Sequence, residues 1–189
     1  PRRKLDEMSE TRGAHQGVIA LVTPYTYVAV EDILKVAKER EEPSFIIVLD
    51  EITDPHNLGS IIRTGECSGA HGIIIPKRRA VGLTPAAIKA SAGAAEFVPV
   101  AKVTNIADTL DALKEEGLWV AGAHMEGENY TEVDLSGPIA LVIGSEGKGL
   151  RRLVKEKCDF LVKIPLKGRV SSLNASVAAG VLMYETARQ

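Results

Sequence analysis

Ile139-Ala140-Leu141-Val142-Ile143-Gly144-Ser145-Glu146-Gly147-Lys148-Gly149 reads as a buried strand that breaks into a glycine-rich loop. Five apolar residues are too few for a stable helix, and the turn residues around them mark strand ends. Phe45–Leu49, Ile73–Ile75, Leu118–Ala121 and Phe160–Ile164 have the same form. Between these runs lie segments of helical pattern: Leu58–Ala70, Pro85–Ser91, Ile106–Glu116 and Leu150–Lys157. Ala29–Arg40 is another, with Val30, Ile33, Leu34 and Ala37 at helical spacing, and a last helix covers Leu173–Ala187. Strands alternating with helices predict an α/β fold, a parallel sheet with helices on both faces. Gln16–Val22 reads as an additional strand. Residues 1–14 are polar and charged and read as a linker or mobile arm, which leaves 15–189 as one domain.

Composition narrows the function. The chain has 189 residues, 45% apolar and 25% charged, the usage of one globular domain rather than a disordered or fibrous chain. No apolar run reaches the ~18 residues of a membrane span, and the basic start at Pro1-Arg2-Arg3-Lys4 precedes no apolar stretch of a signal peptide. A cytoplasmic protein with no membrane partner is expected. The chain begins at Pro rather than Met, as a processed or truncated product does. Cys67 and Cys158 are too few for a disulfide framework or a metal cluster, so no metal is expected, and both thiols read as small packed residues. Aromatic residues make up only 4%, which excludes an aromatic base-stacking platform. The net charge of −2 hides a segregation: residues 101–140 carry 2 Lys/Arg against 8 Asp/Glu, and residues 141–189 carry 9 against 4. A basic end on an acidic protein fits a nucleic-acid partner, or a solvated helix face.

In open α/β sheets ligands sit beyond the carboxyl ends of the strands, so the loops after the apolar runs carry the function. After Phe45–Leu49 comes Asp54-Pro55-His56-Asn57-Leu58-Gly59, leading to Arg63 and Thr64. Asn57 reads as a helix N-cap, and His56 as an exposed or capping loop residue. After Ile139–Ile143, the run Gly144-Ser145-Glu146-Gly147-Lys148-Gly149 is neither a Walker loop nor G-x-G-x-x-G. Its carboxylate would repel phosphates, and its glycines let a ligand approach the backbone. After Phe160–Ile164 come Pro165, Lys167, Gly168, Arg169 and Ser171-Ser172-Leu173-Asn174. Ser171 or Ser172 reads as the cap of the last helix, whose Ala175, Ala178, Ala179 and Gly180 permit close packing.

Together these loops resemble the three sequence motifs of the SpoU/TrmH class of SPOUT RNA ribose 2′-O-methyltransferases. Asn57, Gly59, Arg63 and Thr64 match the first motif. Ile143, Gly144, Glu146, Gly147 and Gly149 match the second. Ile164, Pro165, Gly168, Ser172, Leu173, Asn174 and Ser176 match the third. The resemblance runs from about Gly17 to Gln189 and is most similar to the 23S rRNA guanosine 2′-O-methyltransferases. It implies a C-terminal deep trefoil knot, a homodimer paired through the last helix, and S-adenosyl-L-methionine (AdoMet) as cofactor. Relatives of this kind carry an N-terminal RNA-binding domain similar to ribosomal protein L30e, which is absent from this chain.

The implied reaction is methyl transfer from AdoMet to a ribose 2′-oxygen of rRNA, with tRNA as the alternative substrate. A non-catalytic RNA-binding module of ribosome assembly is the alternative from a different class. Arg63 would act as the base, against its high intrinsic basicity, or hold an RNA phosphate by a bidentate contact. Asn57, Glu146, Ser172 and Asn174 would orient Arg63 and the ribose. Backbone groups at Gly144, Ile164 and Leu173, with the turn at Gly122-Ala123, would hold AdoMet. Lys148, Arg151, Arg152 and Lys155 fall at i, i+3, i+4 and i+7, one helix face. With Lys167 and Arg169 they are the expected RNA-binding cations.

Overall fold

The computed structural model describes residues 2–9, 17–19 and 25–189. In chain order it contains α1 (Arg2–Met8), α2 (Val30–Arg40), β1 (Phe45–Asp50), α3 (Pro55–Cys67), β2 (Gly72–Pro76), α4 (Pro85–Ala90), β3 (Val100–Val103) and α5 (Ile106–Glu115). These are followed by β4 (Trp119–Asn129), β5 (Ile139–Gly144), α6 (Arg152–Lys157), β6 (Phe160–Lys163) and α7 (Ala175–Arg188). The six strands form one parallel sheet in the order β3-β2-β1-β5-β4-β6. β1 lies inside it and is buried along its whole length, which is why its sequence is a continuous apolar run rather than an alternating one.

The pleat sends alternate residues to two cores. Ile47, Leu49, Ile73 and Leu141 pack under α3, α4 and α7. Ile46, Val48, Ile74 and Val142 pack under α2, α5 and α6. Helices therefore cover both faces, as the alternation predicts. Local signals place the helix starts. Asp54 caps α3 by accepting from His56 N at 2.8 Å, ahead of Pro55 in the first turn, and Asn105 caps α5 by accepting from Ala107 N at 3.0 Å.

Several expectations are corrected. Asn57 is not a cap but lies inside α3, 6% exposed, because Asp54 and Pro55 start the helix one turn earlier. Neither Ser171 nor Ser172 caps α7; Asn174 does, accepting from Ser176 N and Val177 N. Gly122-Ala123 is not a turn. β4 runs on to Asn129 through an irregularity between Ala123 and Glu128, where it pairs with β6. α6 begins only at Arg152, with Arg151 as its cap, so Lys148 precedes the helix and the four-cation face does not form. β3 escaped the sequence reading because Lys102 and Pro99 dilute its apolar character. Cys67 is exposed rather than packed, and Cys158 is largely buried, which pushes its thiol up to about 12. Within the expected arm over 1–14, Arg2–Met8 is helical; most of the expected Gln16–Val22 strand lies outside the described residues.

Candidate active site

The first turn of α3, which follows β1, and the loops that follow β5 and β6 meet at one carboxylate. Glu146 Oε1 accepts from Asn57 Nδ2 at 3.0 Å, from Asn174 Nδ2 at 2.6 Å and from Ala175 N at 3.2 Å. Asn174 Nδ2 also reaches Asn57 Oδ1 at 2.9 Å. A carboxylate only accepts, so both amides turn their nitrogens toward it. Asn174 Oδ1 is left to cap α7. The carboxylate thus sits at the N-terminus of α7, where free N–H groups and the helix dipole favour negative charge. One residue from each of the three segments is held by the other two, and Ser171–Asn174 is carried back across the sheet to the loop after β5.

Beside this node lies a cavity of about 410 Å³, within the range of small-molecule sites. Ile143, Val162, Ile164, Leu166, Leu173 and Leu182 give it apolar walls; Gly144, Ser145, Gly147 and Gly149 bring main chain to its edge. All four residues expected at the cofactor, Ala123, Gly144, Ile164 and Leu173, line it, as do Glu146, Ser172 and Lys148. His124 and Met125, which sequence reading missed, line it too. They lie in the polar half of β4, where no apolar run pointed.

The glycines also shape the loop itself. A side chain at Gly144 would stand 2.2–2.5 Å from the backbone of Gly149 and Leu150. The loop closes on itself there through Ser145 and Gly149, whose backbones exchange bonds of 3.2 and 2.9 Å. Gly147 and Gly149 have φ of +77° and +66°, which favours glycine. These residues form a closed turn against which a ligand can rest. Gly168 meets nothing within 4 Å, so its small size answers no packing need.

Arg63 stands apart. It lies six residues along α3 from Asn57, which is ~9 Å along the axis. It is exposed, it does not line the cavity, and it has no ion-pair partner among the described residues. Its neighbour Thr64 faces α7, 3.6 Å from where a side chain at Gly180 would begin.

Three of the six cations expected at RNA have an acidic partner in the fold. Arg151 Nε donates to the fully buried Asp50 at 2.7 Å and lies 3.5 Å from Glu51; its backbone N–H also donates to Asp50, at 2.8 Å. Arg152 pairs with Glu156 at 2.7 Å. Lys155 pairs with Glu126 and holds that carboxyl below its ordinary value, chiefly through their hydrogen bond. Lys148, Lys167 and Arg169 are exposed with no acidic partner among the described residues. No group of side chains able to hold a metal ion occurs among the described residues, and no described helix is long and apolar enough to cross a membrane.

The parallel six-stranded sheet with helices on both faces is shared with solved SpoU methyltransferases, which sets the class. Comparison with known proteins narrows the class to a family. A model described as the SpoU rRNA Methylase family matches residues 44–184. YacO of Bacillus subtilis, assigned to the TrmH family of tRNA/rRNA methyltransferases, is 58% identical over 190 residues, covering 100% of this chain and 76% of its own. The SpoU methyltransferase AviRb of Streptomyces viridochromogenes, solved with AdoMet, is 32% identical with a TM-score of 0.71. That match covers 78% of this chain and 58% of AviRb, so the chain spans less than two thirds of that protein. The A. aeolicus TrmH/SpoU tRNA modifying enzyme is 29% identical with a TM-score of 0.70, over 84% of each chain. The chain belongs to the SpoU rRNA methylase family, whose members are AdoMet-dependent RNA methyltransferases.

Proposed function

We propose that this chain transfers the methyl group of AdoMet to the ribose 2′-hydroxyl of an RNA nucleotide in the cytoplasm, with a guanosine of 23S rRNA as the first candidate. The observation that carries the reading is the Glu146 node at the rim of the cavity. AdoMet suits that cavity: apolar walls for the adenine and the methylene groups, main-chain groups for the adenine edge, and a carboxylate beside a sulfonium cation. When bound it supplies the electrophilic methyl carbon. No metal is needed to activate it.

The chain's own residues supply position and charge. In-line attack demands that the 2′-oxygen be held against the methyl carbon, and such positioning removes much of the barrier. Glu146 spends Oε1 on the node, and its Oε2 makes no hydrogen bond among the described residues. Oε2 is free to orient a ribose hydroxyl, with Ser172 beside it. Asn57 and Asn174 act through Glu146 as positioning residues. Gly144, Ile164, Leu173 and Ala123 contact the cofactor. Arg63 works on the RNA, either as the base or on a phosphate.

A homodimer fits this reading. Val170, Leu173, Val177 and Tyr184 expose apolar side chains on α7 and the loop before it, Val170 at 74% and Tyr184 at 54%. Pairing there would bury that face and bring Arg63, beside α7, into the interface. A knotted C-terminus, which the family implies, fits the contact of Asn174 with Glu146. The single sheet supports reading 15–189 as the catalytic unit.

The test is incubation of the chain with isotope-labelled AdoMet and either 23S rRNA or tRNA, followed by mapping of 2′-O-methylated positions. Label at a ribose of rRNA supports the reading, and label only in tRNA moves the substrate. AdoMet binding without transfer to any RNA sinks it in favour of the non-catalytic module. Glu146→Ala should lower transfer by about 100-fold, the scale of a misplaced reacting group. Arg63→Ala should abolish transfer and leave AdoMet affinity within about twofold, because Arg63 does not line the cavity; lost affinity with retained transfer refutes its assignment.

A further inference from the structure

The longest stretch of this chain without an acid is Cys67–Ala95, which carries Lys77, Arg78, Arg79 and Lys89 against no Asp or Glu. Nothing in the site described above uses it. We propose that its turn Lys77-Arg78-Arg79, just beyond the end of β2, holds the phosphate backbone of the RNA whose ribose enters the cavity. The proposal rests on the methyltransferase reading and extends it to a second contact region.

The first support is location. The turn lies at the C-terminal edge of the sheet, the edge that carries the Glu146 node. β2 stands two strands from β5, or ~10 Å at the usual strand spacing. An RNA strand that presents a ribose at the β5 loop and runs toward β3 must pass this turn.

The second support is availability. Lys77, Arg78 and Arg79 are all exposed. Lys77 and Arg78 have no acidic partner among the described residues. Arg79 alone is tethered, 3.7 Å from Glu51. The charge of the first two is therefore directed at solvent and at whatever approaches.

The third support is order. A phosphate contact is worth most where the cation is already in place. Lys77 N donates to Val103 O at 2.8 Å and Val81 N to Ile52 O at 2.9 Å. Leu83 N donates to Tyr27 Oη at 2.8 Å. Thr84 closes the segment by capping α4. Arg79 takes a left-handed φ of 59°, which turns the chain sharply after two outward side chains. Lys102 Nζ lies over the Tyr27 ring at 4.1 Å, on the same edge. The turn is thus a basic surface fixed to three neighbouring segments. An RNA backbone suits it better than an acidic protein because the adjacent cavity already calls for a ribose.

The experiment uses the full chain with AdoMet and a fluorescent single-stranded RNA of mixed sequence, titrated across a KCl series. In Lys77→Ala/Arg78→Ala the slope of log affinity against log salt should fall by about 1.4, with about tenfold weaker binding at low salt. KM for rRNA should rise while kcat and AdoMet affinity stay unchanged. Lys77→Gln/Arg78→Gln should behave alike, which guards against a folding defect of the Ala pair. Lys77→Arg, which keeps both charges, should leave the wild-type slope unaltered, and so should Lys35→Ala in α2, whose Nζ pairs with Glu39. A wild-type chain that binds RNA with a salt slope unchanged in both double variants overturns this surface and leaves the methyltransferase reading standing. A wild-type chain that neither binds RNA nor transfers a methyl group overturns both.

Discussion

Two basic segments flank the active-site edge, and they use their charge in opposite ways. The segment from Lys148 to Lys155 looks the stronger on paper, with four cations at helical spacing. In the fold, three of the four have an acidic partner: Arg151 in buried Asp50, Arg152 in Glu156, Lys155 in Glu126. The turn from Lys77 to Arg79 is shorter and lies in a half of the chain whose charges balance, yet two of its three cations have no acid beside them among the described residues. A cation already paired with a carboxylate inside the protein releases few counterions when a phosphate arrives, because its field is largely spent. What counts for a polyanion is the charge left over after folding.

The largest effect that can break this contrast is on stability. Arg151→Ala should cost about 3 kcal/mol, because it leaves the fully buried Asp50 carboxylate with only a backbone donor; urea unfolding measures it. Replacing Asp50 and Arg151 together by Leu and Met should recover most of that loss. If Arg151→Ala leaves stability untouched and instead weakens RNA binding, the segment is an RNA surface after all. A smaller effect is on RNA itself. Arg152→Ala should lower the salt slope by less than half of what Lys77→Ala/Arg78→Ala does, in the same titration. The smallest is a titration. Lys155 holds the Glu126 carboxyl below its ordinary range, so the pair is intact above that range and dissolves as pH falls through the lowered value. Lys155→Ala should move the Glu126 midpoint upward, toward an unpaired carboxylate, as followed by NMR. An unmoved midpoint would mean that Lys155 is free for phosphate.

Much of the architecture was legible because burial leaves a signature in the chain. β1 and β5 lie inside the sheet, touched by helices on both faces, so Phe45–Leu49 and Ile139–Ile143 had to be apolar throughout. The edge strand β3, and the part of β4 that runs past its pairing with β5, lack that constraint. β3 contains Lys102, and the second half of β4 is polar, so both ran beyond what hydrophobicity could show. The same blindness hid His124 and Met125 from the cavity. The cap of α3 was misread for a local reason: Asn57 and Asp54 are both good capping types, and Pro55 in the first turn favours the earlier one.

By itself, the sequence determined the α/β class, the family and the motif residues Asn57, Glu146 and Asn174 that the fold brings together. Apolar periodicity and three motifs in order are written along the chain. The tertiary structure alone decided what those residues do for one another. Glu146, Asn57 and Asn174 are 89 and 117 residues apart in their hydrogen-bonded pairs, and only the return of Ser171–Asn174 across the sheet brings them together. It also decided which cations are free. Pairing depends on distances between side chains from different elements, as between Asp50 and Arg151, 101 residues apart. A Coulomb interaction falls with separation in space and takes no account of separation along the chain.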